Sequence, residues 1–375
     1  MMRPDTDRGM GAAGVGNRND ESQQGGAGMK AARVHEYDTS FSGPEFLKVE
    51  DVPEPGISEP DDVIVRIGGA GLCRTDLHII EGLWEDARLV DMPYVLGHEN
   101  AGWVEEIGTS VRRFERGDPV VIQPGLSDGL CLSCMRGLDN HCENLVFLGI
   151  QQDGGFAEFL KVKERNLVRL PEGIEPRDAA PHADAGLTAF HAVKKASKVL
   201  EPDGTAVLIG VGGIGHVAVQ ALRALSSARI IVLEKSDLAL ELARELGADT
   251  IIKSSDASVE EVLELTQGKG AEAVLDFVGE GDVPAQALAM TKMGGYYFVV
   301  GYGGTIEVPT MEMIATEKNI IGNLGGTTSE LRELVTLAGE GKVQLTTRHY
   351  ALDEINEAIS DLHEGRIKGR GVLVP

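Results

Sequence analysis

Four cysteines, placed by type and spacing for metal rather than for disulfides, are the residues of this chain best suited to chemistry. Three of them form Asp128-x2-Cys131-x2-Cys134-x7-Cys142, a knuckle of soft thiolates with a carboxylate where a fourth ligand would fall. Three sulfurs and one oxygen suit a closed, tetrahedral Zn²⁺ site. A redox pair or a cluster of buried thiols is the bland alternative for such a C-x2-C spacing. Cys73 stands apart in Leu72-Cys73-Arg74-Thr75-Asp76-Leu77-His78, and Gly97-His98-Glu99 follows it. One thiolate, one imidazole and one carboxylate from separate points in the chain describe an open metal site of catalytic type.

A second chemistry lies further on. Gly210-Val211-Gly212-Gly213-Ile214-Gly215 follows the apolar run Ala206-Val207-Leu208-Ile209 and opens a helical pattern near His216. Strand, glycine turn and helix in this order form a dinucleotide-binding fingerprint. Gly210 permits the tight turn, Gly212 lets a pyrophosphate approach the backbone, and Gly215 lets helix and strand pack closely. Ile230-Ile231-Val232-Leu233 ends in Glu234, a carboxylate placed to accept hydrogen bonds from both ribose hydroxyls of NAD. The same charge repels the 2′-phosphate of NADP, while the adjacent Lys235 softens that discrimination. NAD is expected. Val300, at the end of a later strand, is counted among the coenzyme contacts.

Two kinds of sequence texture must position these groups, and 375 residues suffice for two domains. From residue 30 to about 180, short apolar runs such as Val63–Ile67, Ala101–Val104 and Pro119–Ile122 are broken by Gly, Pro and Asp, as in a β-rich, barrel-like domain. From about 195 to 320, apolar strands (Thr205–Ile209, Ile230–Leu233, Ala273–Phe277, Tyr297–Val300) alternate with helical stretches (His216–Leu225, Leu238–Leu246). That alternation predicts βαβ units and a doubly wound parallel sheet. The tail predicts helices over 329–340 and 353–364 and a final strand, 371–374. The fold class is therefore α/β. Residues 29–180 and 324–375 are expected to form the metal-bearing domain and 181–323 the nucleotide domain. Residues 1–28, glycine-rich and nearly devoid of bulky apolar side chains, are expected to be disordered.

The formal net charge is −24, spread along the chain. Such a surface repels nucleic acid and anionic membranes. It suits an ordinary acidic enzyme or one adapted to high salt, where carboxylates stay hydrated and their repulsion is screened. With neither a long apolar run nor a signal-like N-terminus, and with cysteines arranged for metal, the chain is expected in a reducing cytoplasm.

From Met29 to Pro375 the chain resembles the zinc-dependent medium-chain alcohol dehydrogenases, and among them the bacterial and archaeal secondary alcohol dehydrogenases. Cys73-Arg74-Thr75-Asp76, Gly97-His98-Glu99, the cysteine knuckle, the glycine fingerprint and the ending Gly369-Arg370-Gly371-Val372-Leu373-Val374-Pro375 carry the resemblance. It implies a split, mostly β catalytic domain with an inserted Rossmann domain, and two zinc ions per chain. Catalytic zinc is implied at Cys73 and His98. The third ligand, usually a cysteine, falls on Asp184 in Ala179-Ala180-Pro181-His182-Ala183-Asp184, with His182 a rival by proximity only. Asp128 departs likewise from the cysteine that usually begins the structural knuckle, which implies a weaker site there.

The resemblance further implies that Glu99 sits near the metal and that Asp76 orients the ligand histidine. It implies that Thr75 takes the alcohol proton and that His78 passes it towards solvent through the coenzyme ribose. Arg74 and Arg370 fall where relatives bind pyrophosphate, and Thr188 falls near the nicotinamide. The implied activity is NAD-dependent interconversion of alcohols with ketones or aldehydes. The same scaffold also serves polyols, sugars or threonine, but Leu83, Trp84, Leu145 and Leu324 suggest an apolar pocket. A nucleotide-binding protein without chemistry would have lost its zinc ligands, and here they are present. Homodimers or homotetramers are implied, through a sheet edge around Tyr296–Tyr302 with the apolar run beyond it.

Overall fold

The computed structural model describes residues 28–43 and 45–375, so the expected disorder of the N-terminal extension lies, but for Gly28, outside the described residues. The uninterrupted apolar runs in the second half pair as one all-parallel sheet. Its order is Thr250–Lys253, Arg229–Glu234, Thr205–Ile209, Ala271–Asp276, Thr291–Val299, Asn319–Gly322. Ala206, Val207, Leu208, Ile230, Ile231 and Val274 have no exposed surface, as strands covered by helices on both faces require. Strand order reverses beside Thr205–Ile209. A cleft opens at such a switch point, beyond the carboxyl ends of the strands, and there Gly210 begins its turn into the helix Gly215–Leu225.

The first part of the chain is β-rich and mainly antiparallel. Its central strand, Asp62–Gly71, pairs with Glu99–Ile107 on one side and Phe159–Lys163 and Arg370–Val374 on the other. The register sets Gly71 opposite Glu99 and, across the other edge, Val372. Three segments far apart in sequence, those holding Cys73, His98 and Arg370, thus converge at one end of the sheet. The C-terminal tail belongs to this half.

Helix Thr328–Gly339 joins the two halves. Its N-terminus is closed by a capping box between Thr327 and Glu330. Leu334 packs into the core under the parallel sheet, while Leu331 and Val335 pack with Ala101, Val121 and Val372 of the β-rich half.

One expectation is corrected. Thr291–Val299 is paired on both sides, so the sheet edge beside it is Asn319–Gly322 and not Tyr296–Tyr302. The four-residue run Asn319-Ile320-Ile321-Gly322 is too short to declare itself by periodicity.

Candidate active site

Cys73 sits at the N-terminal boundary of the short helix Arg74–Ile80. Asp76 holds that boundary: its Oδ2 accepts a 2.7 Å hydrogen bond from the Cys73 amide. Its other oxygen lies 3.3 Å from His98 Nδ1, and neither of these two buried atoms has another partner among the described residues. One carboxylate therefore locates both the thiol and the imidazole. The backbone before His98 needs glycine, since Gly97 has φ +98° and an added Cβ would come within 2.3 Å of the Phe156 ring.

Asp184 completes the cluster from the junction between the turn Ala180–Ala183 and the helix Ala185–Ala196. Its Oδ2 lies 3.5 Å from His98 Nε2 and 3.9 Å from Cys73 Sγ. Its Oδ1 accepts from Thr188 Oγ1 at 3.0 Å, which places Thr188 against the cluster. One ligand atom from each of Cys73, His98, Glu99 and Asp184 lies within 4.8 Å of the others. Sulfur, nitrogen and carboxylate oxygen so gathered fit Zn²⁺. Burial disfavours a charged His98, but the carboxylates of Asp76 and Asp184 outweigh it and raise the imidazole pKa well above its usual value. For Asp184 burial pushes up, and His98 and Arg370 pull the carboxyl below the ordinary range. A cation is what this concentration of acceptors favours.

His182 is turned elsewhere. It is buried over Gly186, with Nδ1 unpartnered among the described residues, and desolvation lowers its pKa to about 3. Glu99 is occupied too. It receives both arms of the Arg370 guanidinium, Nε at 3.0 Å and Nη2 closer still, and the Ala185 amide at 3.0 Å. Burial raises the Glu99 pKa while Arg370 opposes it. Arg370 also packs on the glycine turn, where a Cβ on Gly213 would meet its Nη1 at 2.3 Å.

The glycine turn has the form a pyrophosphate needs. Gly210 has φ +84°, and a Cβ on Gly215 would lie 2.0 Å from the Gly210 carbonyl oxygen. Gly212 would meet nothing within 4 Å, so its backbone faces open space. Glu234 reaches the turn: Oε2 accepts from the Val211 amide at 2.7 Å, and Oε1 accepts from the Lys235 amide at 2.7 Å. The Lys235 side chain is exposed beyond it, while Ile214 and Val300 are half-buried. Gly212, Glu234, Arg370 and Cys73 line one cleft.

Arg74, Thr75 and His78 project from the helix Arg74–Ile80 towards the parallel-sheet half. Arg74 Nη2 lies 3.4 Å from Glu280 Oε1. Thr75 Oγ1 and His78 Nδ1 do not touch each other. Both approach the Tyr302 hydroxyl, at 3.3 and 2.7 Å. Partial burial lowers the His78 pKa. Neither Tyr302 nor Glu280 was singled out from the sequence. A lone aromatic in Gly301-Tyr302-Gly303-Gly304, directly after a strand of the parallel sheet, was the available signal.

A narrow pocket beside Asp184 is lined by Leu145, Phe147, Leu187 and Leu324 together with Gln123 and Asn140. Gln123 Nε2 donates to Gly326 O and Asn140 Nδ2 to Leu324 O, while the buried Asn140 Oδ1 has no partner among the described residues. Of the expected apolar residues Leu145 and Leu324 line this pocket; Leu83 is exposed and Trp84 packs edge-on to Tyr302.

The knuckle also closes. Asp128, Cys131, Cys134 and Cys142 bring their ligand atoms within 4.8 Å of one another. Asp128 Oδ1 lies 3.6 Å from Cys134 Sγ, while Oδ2 is held by Asn144 Nδ2 at 2.7 Å. The amides of Asp128 and Asn144 donate to Cys142 Sγ from 3.5 and 3.4 Å. Three sulfurs and an oxygen fit a structural Zn²⁺.

Fold and site together define an oxidoreductase that joins a metal-binding cluster to a dinucleotide cleft. Residues 59–172 match the alcohol dehydrogenase GroES-like domain and residues 213–340 the zinc-binding dehydrogenase domain. An NAD-dependent alcohol dehydrogenase of Sulfurisphaera tokodaii is 36% identical over 88% of this chain and 96% of its own. A D-arabinose 1-dehydrogenase (NADP⁺) of Saccharolobus solfataricus is 34% identical over 89% and 95%. The crystal structure of the alcohol dehydrogenase from Aeropyrum pernix superposes with a TM-score of 0.87 at 44% identity, covering 92% of this chain and 100% of that one. The chain belongs to the zinc-dependent medium-chain alcohol dehydrogenase family.

Proposed function

We propose that this protein is an NAD-dependent, zinc-dependent alcohol dehydrogenase that interconverts alcohols, secondary ones above all, with ketones or aldehydes. One observation carries the reading: Cys73, in the metal cluster, lines the same cleft as Gly212, Glu234 and Arg370. Zinc held by Cys73, His98 and Asp184 would supply the Lewis acidity that acidifies an alcohol, and NAD would take its hydride. Asp76 keeps the imidazole of His98 oriented. Thr75 would receive the alcohol proton and His78 would pass it towards solvent through the coenzyme ribose. Leu145, Phe147, Leu187 and Leu324 shape an apolar pocket and exclude water, which favours simple alcohols over polyols.

Initial rates with primary, secondary and polyol substrates and both coenzymes test this. Secondary alcohols with NAD are expected to give the highest kcat/KM, and absence of turnover with every alcohol would refute the reading. Elemental analysis is expected to find two zinc ions per chain, with the Asp128 knuckle emptied by chelator before an all-cysteine one would be.

For coenzyme choice, Glu234→Ser removes the carboxylate proposed to bind the ribose hydroxyls. A hydrogen bond to a charged group contributes about 1.5–3 kcal/mol. The NAD/NADP ratio of kcat/KM is therefore expected to fall by roughly 10- to 100-fold. A wild type that already prefers NADP strongly would contradict the assignment.

A homo-oligomer is proposed as well. The edge strand Asn319–Gly322 is open to pairing, and the adjoining helix Thr310–Thr316 exposes Met311 and Ile314 by 73% and 72%. Light scattering is expected to give a dimer or tetramer, and a stable monomer would overturn this. No helix of the described residues is long and apolar enough to cross a membrane. A cytoplasmic location is proposed from that and from the free, metal-suited cysteines.

A further inference from the structure

The pocket beside Asp184 is closed on one side by Leu324, Gly325 and Gly326, part of the connection that returns from the strand Asn319–Gly322 to the helix Thr328–Gly339. This connection is held from the metal knuckle. Asp139 and Asn140, adjacent in the turn that ends on Cys142, are 8% and 5% exposed, and both reach it. Asn140 Nδ2 donates to Leu324 O at 3.1 Å. The Asp139 carboxylate accepts from the Thr328 amide, at 3.3 Å to Oδ1 and 3.0 Å to Oδ2, and from the Thr328 hydroxyl at 2.5 Å to Oδ2. These two residues are 189 apart in sequence.

Each end of this contact is anchored independently. Thr328 opens its helix, so its amide has no partner within the helix. The capping box serves Thr327 and Glu330 and leaves the Thr328 amide to Asp139, whose negative charge also suits a helix N-terminus. At the other end the Cys142 amide donates to Asp139 O at 3.1 Å, and the Cys142 sulfur belongs to the knuckle cluster. The connection has little room to settle elsewhere, since a Cβ on Gly326 would lie 2.6 Å from Leu187 Cδ1, another wall of the pocket. Asp139 itself does not line the pocket.

We propose that Asp139 is a positioning residue for the alcohol: it ties the pocket wall at Leu324–Gly326 to the metal knuckle, so that the knuckle shapes the substrate pocket as well as its own lobe. The inference rests on the alcohol dehydrogenase reading above. The closed knuckle fixes the turn that ends on Cys142. Asp139 passes that position to Thr328, and Asn140 passes it to Leu324. Without the Asp139 carboxylate, the start of the helix Thr328–Gly339 is released and the wall can shift relative to Asp184. Cys73, His98, the glycine turn and Glu234 keep their places, because none of them touches this connection. The change falls on how tightly the alcohol is held and not on the hydride step.

Asp139→Ala is expected to raise KM for a secondary alcohol roughly tenfold, with kcat and the Kd for NADH within about twofold of wild type and the zinc content unchanged. Asp139→Asn keeps an oxygen for the Thr328 amide and should restore a large part of the affinity. Thr328→Val removes only the hydroxyl contact and should raise KM less than Asp139→Ala does. The double variant should be no worse than Asp139→Ala alone, because both changes break one contact. A residue that served stability alone would lower the amount of active enzyme and leave KM where it was. Hydrogen exchange, followed by mass spectrometry on peptides covering 324–331, reads the contact without turnover. In Asp139→Ala the Thr328 amide should exchange roughly 10- to 100-fold faster, the effect of a lost hydrogen bond to a charged group. An unchanged KM, a loss confined to kcat, additive losses in the double variant, or unchanged exchange would each overturn the proposal. If Asp139→Ala does not fold, Asp139→Asn and Thr328→Val decide it by the same measurements. Wild-type turnover separates the two readings. A wild type that turns over, equalled in KM by Asp139→Ala, removes the positioning role alone, and a wild type inactive with every alcohol removes both.

Discussion

Replacing Asp184 with asparagine is expected to strip the catalytic zinc and to slow turnover by about 100-fold or more. Changes to residues that merely orient a ligand cost 10- to 100-fold in metal affinity or activity, so loss of a ligand's charge sets that range as a floor. Asparagine keeps the shape, and its amide oxygen can still accept from Thr188, as Asp184 Oδ1 does at 3.0 Å. What disappears is the negative charge beside His98 Nε2 and Cys73 Sγ. Coenzyme binding should survive, since Gly212 and Glu234 are untouched. Asp184→Cys should retain metal, because thiolate is also a good zinc ligand, with an altered rate from its greater charge donation and longer bond. His182→Ala is the control. That ring is buried over Gly186 and away from the cluster, so its loss should lower stability and leave the metal in place. Zinc content and kcat of the three variants decide the matter. An empty site in His182→Ala with a full, active one in Asp184→Asn would refute the ligand assignment.

The parts of this site that sequence exposes are those whose chemistry is tied to local spacing. Cys73 and Asp76 share one helical turn, the knuckle lies within fifteen residues, and Gly210 to Gly215 is one strand-to-helix turn. Parallel strands covered on both faces must be apolar throughout, so Thr205–Ile209 and its neighbours were equally legible. Partnerships across the fold were not. Thr75 and His78 share one short helix, but that the Tyr302 hydroxyl meets both is set by tertiary packing, with Gly301 held against Val278. Arg370 and Glu99 were both singled out, yet nothing in spacing says that they grip each other. The register that sets Gly71 opposite Glu99 and Val372 does so. The edge strand escaped for a different reason: four residues hold two apolar ones and establish no period.

The Arg370–Glu99 pair makes the strongest stability prediction. Glu99 is wholly buried and Arg370 is 5% exposed, so neither charge is solvated by bulk water. Together they satisfy one another through a forked contact, with the Ala185 amide completing the carboxylate. Such a pair need not add net stability over an apolar substitute, but breaking it strands a buried charge at about 3–5 kcal/mol. Arg370→Met fills much of the same volume without the charge and is expected to incur that loss, read as a fall in unfolding free energy by denaturant titration. Because Arg370 also packs on Gly213, the Kd for NAD should rise in the same variant. Glu99→Gln added to Arg370→Met removes the stranded charge. The double variant should recover a large part of the stability while the loss of NAD affinity persists. This separates the two roles of the arginine, since only the structural one depends on Glu99. Equal stability of wild type and Arg370→Met, or a double variant weaker than the sum of its single changes, would show that the buried charge is not what the guanidinium holds in place.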